Sequence, residues 1–178
     1  MRIKWFSLIR ITGLLLVLLY HFFQTLFPGG FFGVDVFFTF SGFLITSLLL
    51  EEFGQKGKID VLGFFRRRFY RIFPPVVLMV LVVMPFTFLV RQDYVAGIGG
   101  QIAGVLGFMT NFYEMLTGGS YESQFIPHLF VHNWSLAVEV HYYILWGLAV
   151  WFLSKRAKTS GQLRGMIFLL SSATFMIS

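Results

Sequence analysis

"YHFFQTLFPGGFFGVDVFF", residues 20–38, decides how the chain is read. Pro28, Gly29 and Gly30 form a turn signal between two apolar arms, so the stretch predicts the bend of a helical hairpin. His21 lies seven residues before Pro28 and Asp35 seven after it. Arms that leave the turn with similar rise bring these side chains to similar depth. Ionisable groups in such surroundings are costly and mark function. A carboxylate beside an imidazole fixes its tautomer and raises its basicity, as a proton acceptor requires. The competing readings are a cap of the second helix for Asp35 and a histidine hydrogen-bonded within a helix bundle for His21.

Working outward, the 178 residues are 57% hydrophobic and only 12% charged, outside the balance of soluble domains. The fold class that follows is all-α integral membrane, a polytopic helical bundle. Apolar runs long enough to cross a bilayer, about 20 residues each, occupy 5–27, 31–50, 74–90 and 134–153. A weaker run covers 95–113 and another 163–178. The first begins with Arg2, Lys4 and Arg10 as a signal peptide does, but "FQTLFPGG" offers no small-x-small cleavage site, so it reads as a retained helix. The last run carries no polar close, which predicts that the chain is the N-terminal portion of something longer. Cysteine is missing from the sequence, which excludes disulfides and thiolate chemistry.

Thirteen of the fourteen Lys and Arg fall in three clusters, Arg2 to Arg10, Lys56 to Arg71 and Lys155 to Arg164. By the positive-inside rule these are cytoplasmic ends, with the N-terminus cytoplasmic and Arg91 on the opposite side. No basic stripe remains for a nucleic acid. If the second and third clusters share a side, the crossings between them are even in number. Runs 74–90 and 134–153 already supply two, so 95–113, with its five glycines in "VAGIGGQIAGVLGFM", is expected to be re-entrant or interfacial. The alternative is an ordinary Gly-rich helix packed tightly on its neighbours.

Arg10 stands eleven residues before His21, close to three full turns, so the two share a helix face about 16 Å apart. "RRRFYRIFPP" places Arg66, Arg67, Arg68 and Arg71 just before Pro74 and Pro75, where a membrane helix is expected to start. Arg68 and Arg71 are spaced to share a face, and paired guanidinium forks suit phosphate oxygens. The alternatives are a snorkelling anchor for Arg10 and contact with lipid head groups for the cluster. In "HNWSLAVEVHYYILWG", Trp134 is an interface anchor, which sets Glu139 about 7 Å deeper. His128 and His132 have zinc-compatible spacing, but only Glu122 is a carboxylate near them, and no metal is predicted.

Together, Arg10 with His21, "GGFFGVDVFFTFSGFLIT" (29–46), "RRFYRIFP" (67–74) and "WSLAVEVHYY" (134–143) resemble the membrane acyltransferase family 3, in the family's order and over most of the chain. The resemblance implies the N-terminal part of a domain of roughly ten helices in a bacterial cell membrane, sometimes followed by an extracellular domain. It implies transfer of an acyl group, usually acetyl from cytoplasmic acetyl-CoA, to a hydroxyl of a cell-envelope glycan, with peptidoglycan preferred here. Arg10 and His21 match the family's arginine and essential histidine. Arg68 and Arg71 match its donor-associated R-x-x-R motif, and Glu139 its W-S-L-S-V-E glutamate. Ala137, Val140 and His141 depart from the usual residues. On this reading Arg10, Arg68 and Arg71 bind the donor and His21 is general base or acyl acceptor. Asp35 orients His21 and Glu139 serves the acceptor hydroxyl, with Tyr20, Ser41, Tyr142 and Tyr143 as candidate way-stations. The rival reading is a proton-coupled transporter that uses His21, Asp35 and Glu139.

Overall fold

The computed structural model describes residues 5–23, 25–89, 95–117 and 128–177. In it α1 (Trp5–Phe22) turns back through a 3-10 segment (Pro28–Phe31) into α2 (Phe32–Lys56). Small residues close this hairpin. A Cβ on Gly33 would stand 2.6 Å from the Gly13 carbonyl oxygen, and one on Gly30 would strike the Leu16 carbonyl, so the two backbones touch. α1 ends at Phe22 rather than at residue 27. Pro28 disfavours helix at the residue before it, and Phe27 is held at φ −129°. His21 therefore lies in the last turn of α1, at the hairpin end of the bundle.

Gly57, in the left-handed region at φ 66°, closes α2. The Asp60 carboxylate then accepts the Gly63 N–H at 3.0 Å and caps α3 (Val61–Val83). The helix expected to start at the two prolines thus starts well upstream, with Pro74 and Pro75 inside it. Each proline deprives one carbonyl, on Tyr70 and Arg71, of its helical donor. Membrane helices tolerate this where neighbours or local adjustment satisfy the carbonyls. The consequence is that the arginine cluster rides on the membrane helix itself.

After a 3-10 extension (Met84–Leu89), the stretch 95–113 contributes two short helices, α4 (Ile98–Leu106) and the start of α5 (Thr110–Thr117). They are joined at Gly107 and Phe108, whose φ is 54°. α4 rises about 14 Å, against the roughly 30 Å of a hydrocarbon core. A 3-10 turn (Val131–Asn133) leads into α6 (Trp134–Ser154), and α7 (Ser160–Ile177) follows. Among the described residues, three stretches, Pro28–Lys56, Val61–Thr87 and Val131–Ser154, are long and apolar enough to cross a membrane. The protein is an all-α polytopic membrane bundle.

Contacts set the helix directions. Phe38 meets Trp134 with ring centroids 6.3 Å apart, Ser41 meets Glu139, and Trp146 Nε1 donates to Thr46 Oγ1 at 2.9 Å, so α2 and α6 run parallel. α3 runs against them. Phe64 and Phe65 pack on Gly147, Arg68 lies over Tyr143, and Met79 reaches Asn133. The basic clusters at 56–71 and 155–164 consequently share one end, and the hairpin turn and Trp134 share the other. Ile45, Leu49, Tyr143, Val150 and Leu163 form the core between α2, α6 and α7. A second core of Val76, Val80, Val105 and Phe130 joins α3 to α4 and to the lead into α6.

Candidate functional site

About 7 Å into α6 from Trp134, Glu139 accepts hydrogen bonds from the hydroxyls of Ser41 and Tyr143, which are 3.2 Å from each other. Tyr143 follows Glu139 by one helical turn and so shares its face. Ser41 comes from α2, brought there by parallel packing. Glu139 and Ser41 open on a cavity of about 670 Å³ with Gly42, Tyr142, Trp146 and Thr174 in its walls. That volume falls within the range of small-ligand sites, about 300–1,000 Å³. The absence of a side chain at Gly42 makes room for Tyr142, since a Cβ there would lie 3.2 Å from the phenol oxygen.

The other face of Tyr143 receives Arg68, whose guanidinium carbon is 5.8 Å from its ring centroid and 5.6 Å from that of Phe64. Tyr143 is about 16 Å along α6 from its Ser154 end. Arg68 therefore reaches far past the basic rim. It also lines a cavity of about 410 Å³ with Arg67, Arg71, Glu51 and Glu52 at the basic end. Arg67 is engaged there by Glu52 at 3.3 Å, and Glu52 also holds Lys56 at 3.0 Å. Arg71 is exposed at the same cavity.

At the hairpin end, His21 Nδ1 is 2.7 Å from the Val17 carbonyl oxygen, which can only accept, so Nδ1 carries the proton and Nε2 is the basic nitrogen. Its imidazole meets that of His132 edge to face, centroids 5.0 Å apart. Both border a small cavity of about 80 Å³ with Tyr20, Val34 and Ser135. Phe38 lines the large cavity and Trp134 the small one, and their ring contact stands between the two.

Asp35 does not join His21. It is exposed in the first turn of α2, with no hydrogen bond or ion pair to the imidazole. Val34 faces the histidine cavity, and the next residue on a helix is turned about 100° away. The Arg10 side chain, Arg91 and Glu122 lie outside the described residues.

His128 and His132 part company instead of pairing. His128 Nδ1 lies 2.8 Å from the buried Glu114, which ties α5 to the lead into α6. Gln101 of α4 secures the same segment by accepting the Phe130 N–H at 3.3 Å. Among the described residues no three metal-ligating side chains gather. The His21–His132 contact and the Ser41–Glu139–Tyr143 grouping were not apparent in the sequence. The one signal available was the four-residue step from Glu139 to Tyr143.

Residues 3–178 match the family described as the acyltransferase domain. The O-acetyltransferase OatA of Staphylococcus aureus strain NCTC 8325 / PS 47 is 34% identical over 150 residues, covering 84% of this chain and 25% of the relative. OatA of strain MRSA252 matches to the same extent. The chain spans about a quarter of the length of these curated relatives. No solved structure matches it.

Proposed function

Because the chain belongs to the acyltransferase domain family, we propose that it is part of a membrane O-acetyltransferase. The enzyme takes acetyl from cytoplasmic acetyl-CoA and delivers it to a hydroxyl of an extracytoplasmic envelope glycan, with peptidoglycan as the working acceptor. The observation that carries this reading is the contact path from Arg68 over Tyr143 to Glu139, which joins a phosphate-compatible arginine cluster to a carboxylate inside the bundle.

Orientation follows from charge. The basic clusters gathered at one end support reading it as the cytoplasmic face of a bacterial plasma membrane, with the N-terminus on that side. Arg68 and Arg71, with Arg10, hold the phosphates of the donor as charge-assisted forks, while membrane lipid surrounds the bundle. Glu139 is the acid–base group of the seam. At the opposite end His21, with Nε2 as its basic nitrogen, removes the proton from the acceptor hydroxyl. The acyl group passes between the ends along α2 and α6.

The test supplies labelled acetyl-CoA to the purified protein in lipid nanodiscs together with muropeptides. Label is expected on a muropeptide hydroxyl, and is expected to be lost in both Arg68→Ala and His21→Ala. Label on teichoic acid or exopolysaccharide alone would replace the acceptor and keep the chemistry. Solute-coupled proton flux without acetyl turnover would replace the enzyme by a transporter.

A further inference from the structure

Ser41 combines a nucleophilic oxygen, a carboxylate within hydrogen-bonding reach and an opening onto a ligand-sized cavity. Activated hydroxyls share this arrangement, in which a base takes the proton and a third group orients the base. Glu139 is that base here and Tyr143 the orienting group, since its hydroxyl bonds the carboxylate while its ring lies under Arg68. Tyr142 borders the same cavity, its phenol set against Gly42, the residue after Ser41.

We propose that Ser41 is a covalent acyl carrier between donor and acceptor. The inference rests on the acetyltransferase reading and adds an intermediate to it. In the first half, Glu139 takes the Ser41 Oγ proton as Oγ attacks the thioester carbonyl. The carbon–sulfur bond breaks, an ester forms on Ser41, and Glu139 passes the proton to the departing thiolate, so free CoA thiol leaves. In the second half, the acceptor hydroxyl attacks the ester carbonyl and gives its proton to His21. Ser41 Oγ departs as the ester breaks, and that same proton returns through Glu139 to Oγ, so His21 and Glu139 end as they began. The products are the acetylated glycan and the original serine, with no external oxidant or reductant. A covalent station suits a reaction whose donor and acceptor occupy opposite faces, because the acyl group is held inside the bundle after the bulky CoA has gone.

The experiment incubates the purified protein in nanodiscs with labelled acetyl-CoA and no acceptor, quenches in acid, and maps the label by peptide mass spectrometry. The expected result is one acetyl group on the peptide that contains Ser41, released by alkali and discharged when acceptor is added before the quench. Ser41→Ala is expected to bind acetyl-CoA as the parent does and to form no adduct. Ser41→Cys is expected to form a thioester cleaved by neutral hydroxylamine, which separates a carrier from a packing residue. Parental transfer rates in Ser41→Ala, or label on His21 with none on Ser41, would overturn the carrier and leave the acetyltransferase intact. A parent that neither binds acetyl-CoA nor transfers acetyl would overturn both.

Discussion

The Glu139 centre takes its groups from three helices, Ser41 from α2, Glu139 and Tyr143 from α6, and Arg68 from α3. At the other end of the seam, the His21 ring is set by a carbonyl of its own helix and an edge contact with His132. The first arrangement exists only when three helices are in register. The second combines a bond within α1 with a contact to His132 on the lead into α6. The difference separates the variants that ought to disturb one centre from those that disturb both.

The largest effect is expected at the shared carboxylate. Glu139→Gln keeps the volume but cannot take a proton, and acetyl turnover should fall by about 10²–10⁴-fold, the usual contribution of a positioned acid or base. Retained turnover would remove Glu139 from the chemistry. Next comes Arg68→Ala, for which a loss of about 10²–10³-fold matches removal of one preorganised charge-stabilising donor. Arg68→Lys should recover only part of it, because an ammonium lacks the planar fork. Equal rates in the Lys variant and the parent would make Arg68 a simple point charge.

A third contrast belongs to the hairpin end. His21→Gln should cost about 10²-fold or more in turnover, while His132→Phe preserves an aromatic edge and should cost less than about tenfold, or 1.4 kcal/mol of barrier. The reverse ranking would make His132 the working base. The smallest effect is on stability. Gly33→Ala puts a methyl against the Gly13 carbonyl and should destabilise the α1/α2 hairpin by about 1–3 kcal/mol. Thermal unfolding in nanodiscs reads this, and on the account given it disturbs the His21 centre more than the Glu139 centre.

The hairpin was legible because Pro28, Gly29 and Gly30 are local signals, and so was the depth of Glu139, set by the Trp134 anchor. Ser41 as the partner of Glu139 was not, since the two are 98 residues apart and meet only when α2 and α6 pack in parallel. The start of α3 was misread for a different reason. Pro74 and Pro75 suit a first turn, yet Asp60 supplies a side-chain cap fourteen residues before Pro74. Asp35 shows the limit of counting from a turn. Equal spacing from Pro28 gives similar depth, but it does not give helical phase, and phase sends Val34 toward His21 and Asp35 outward.

Donor binding tests the role of the arginine face most directly. Calorimetry of acetyl-CoA against the purified protein in nanodiscs, beside an Arg68→Ala/Arg71→Ala double variant, measures it. Charged hydrogen bonds contribute about 1.5–3 kcal/mol each, and 1.4 kcal/mol is tenfold in affinity, so the variant should bind at least about tenfold more weakly. Equal affinity in the two proteins, or no binding to a folded parent, would contradict the assignment of the arginine face to the acyl donor.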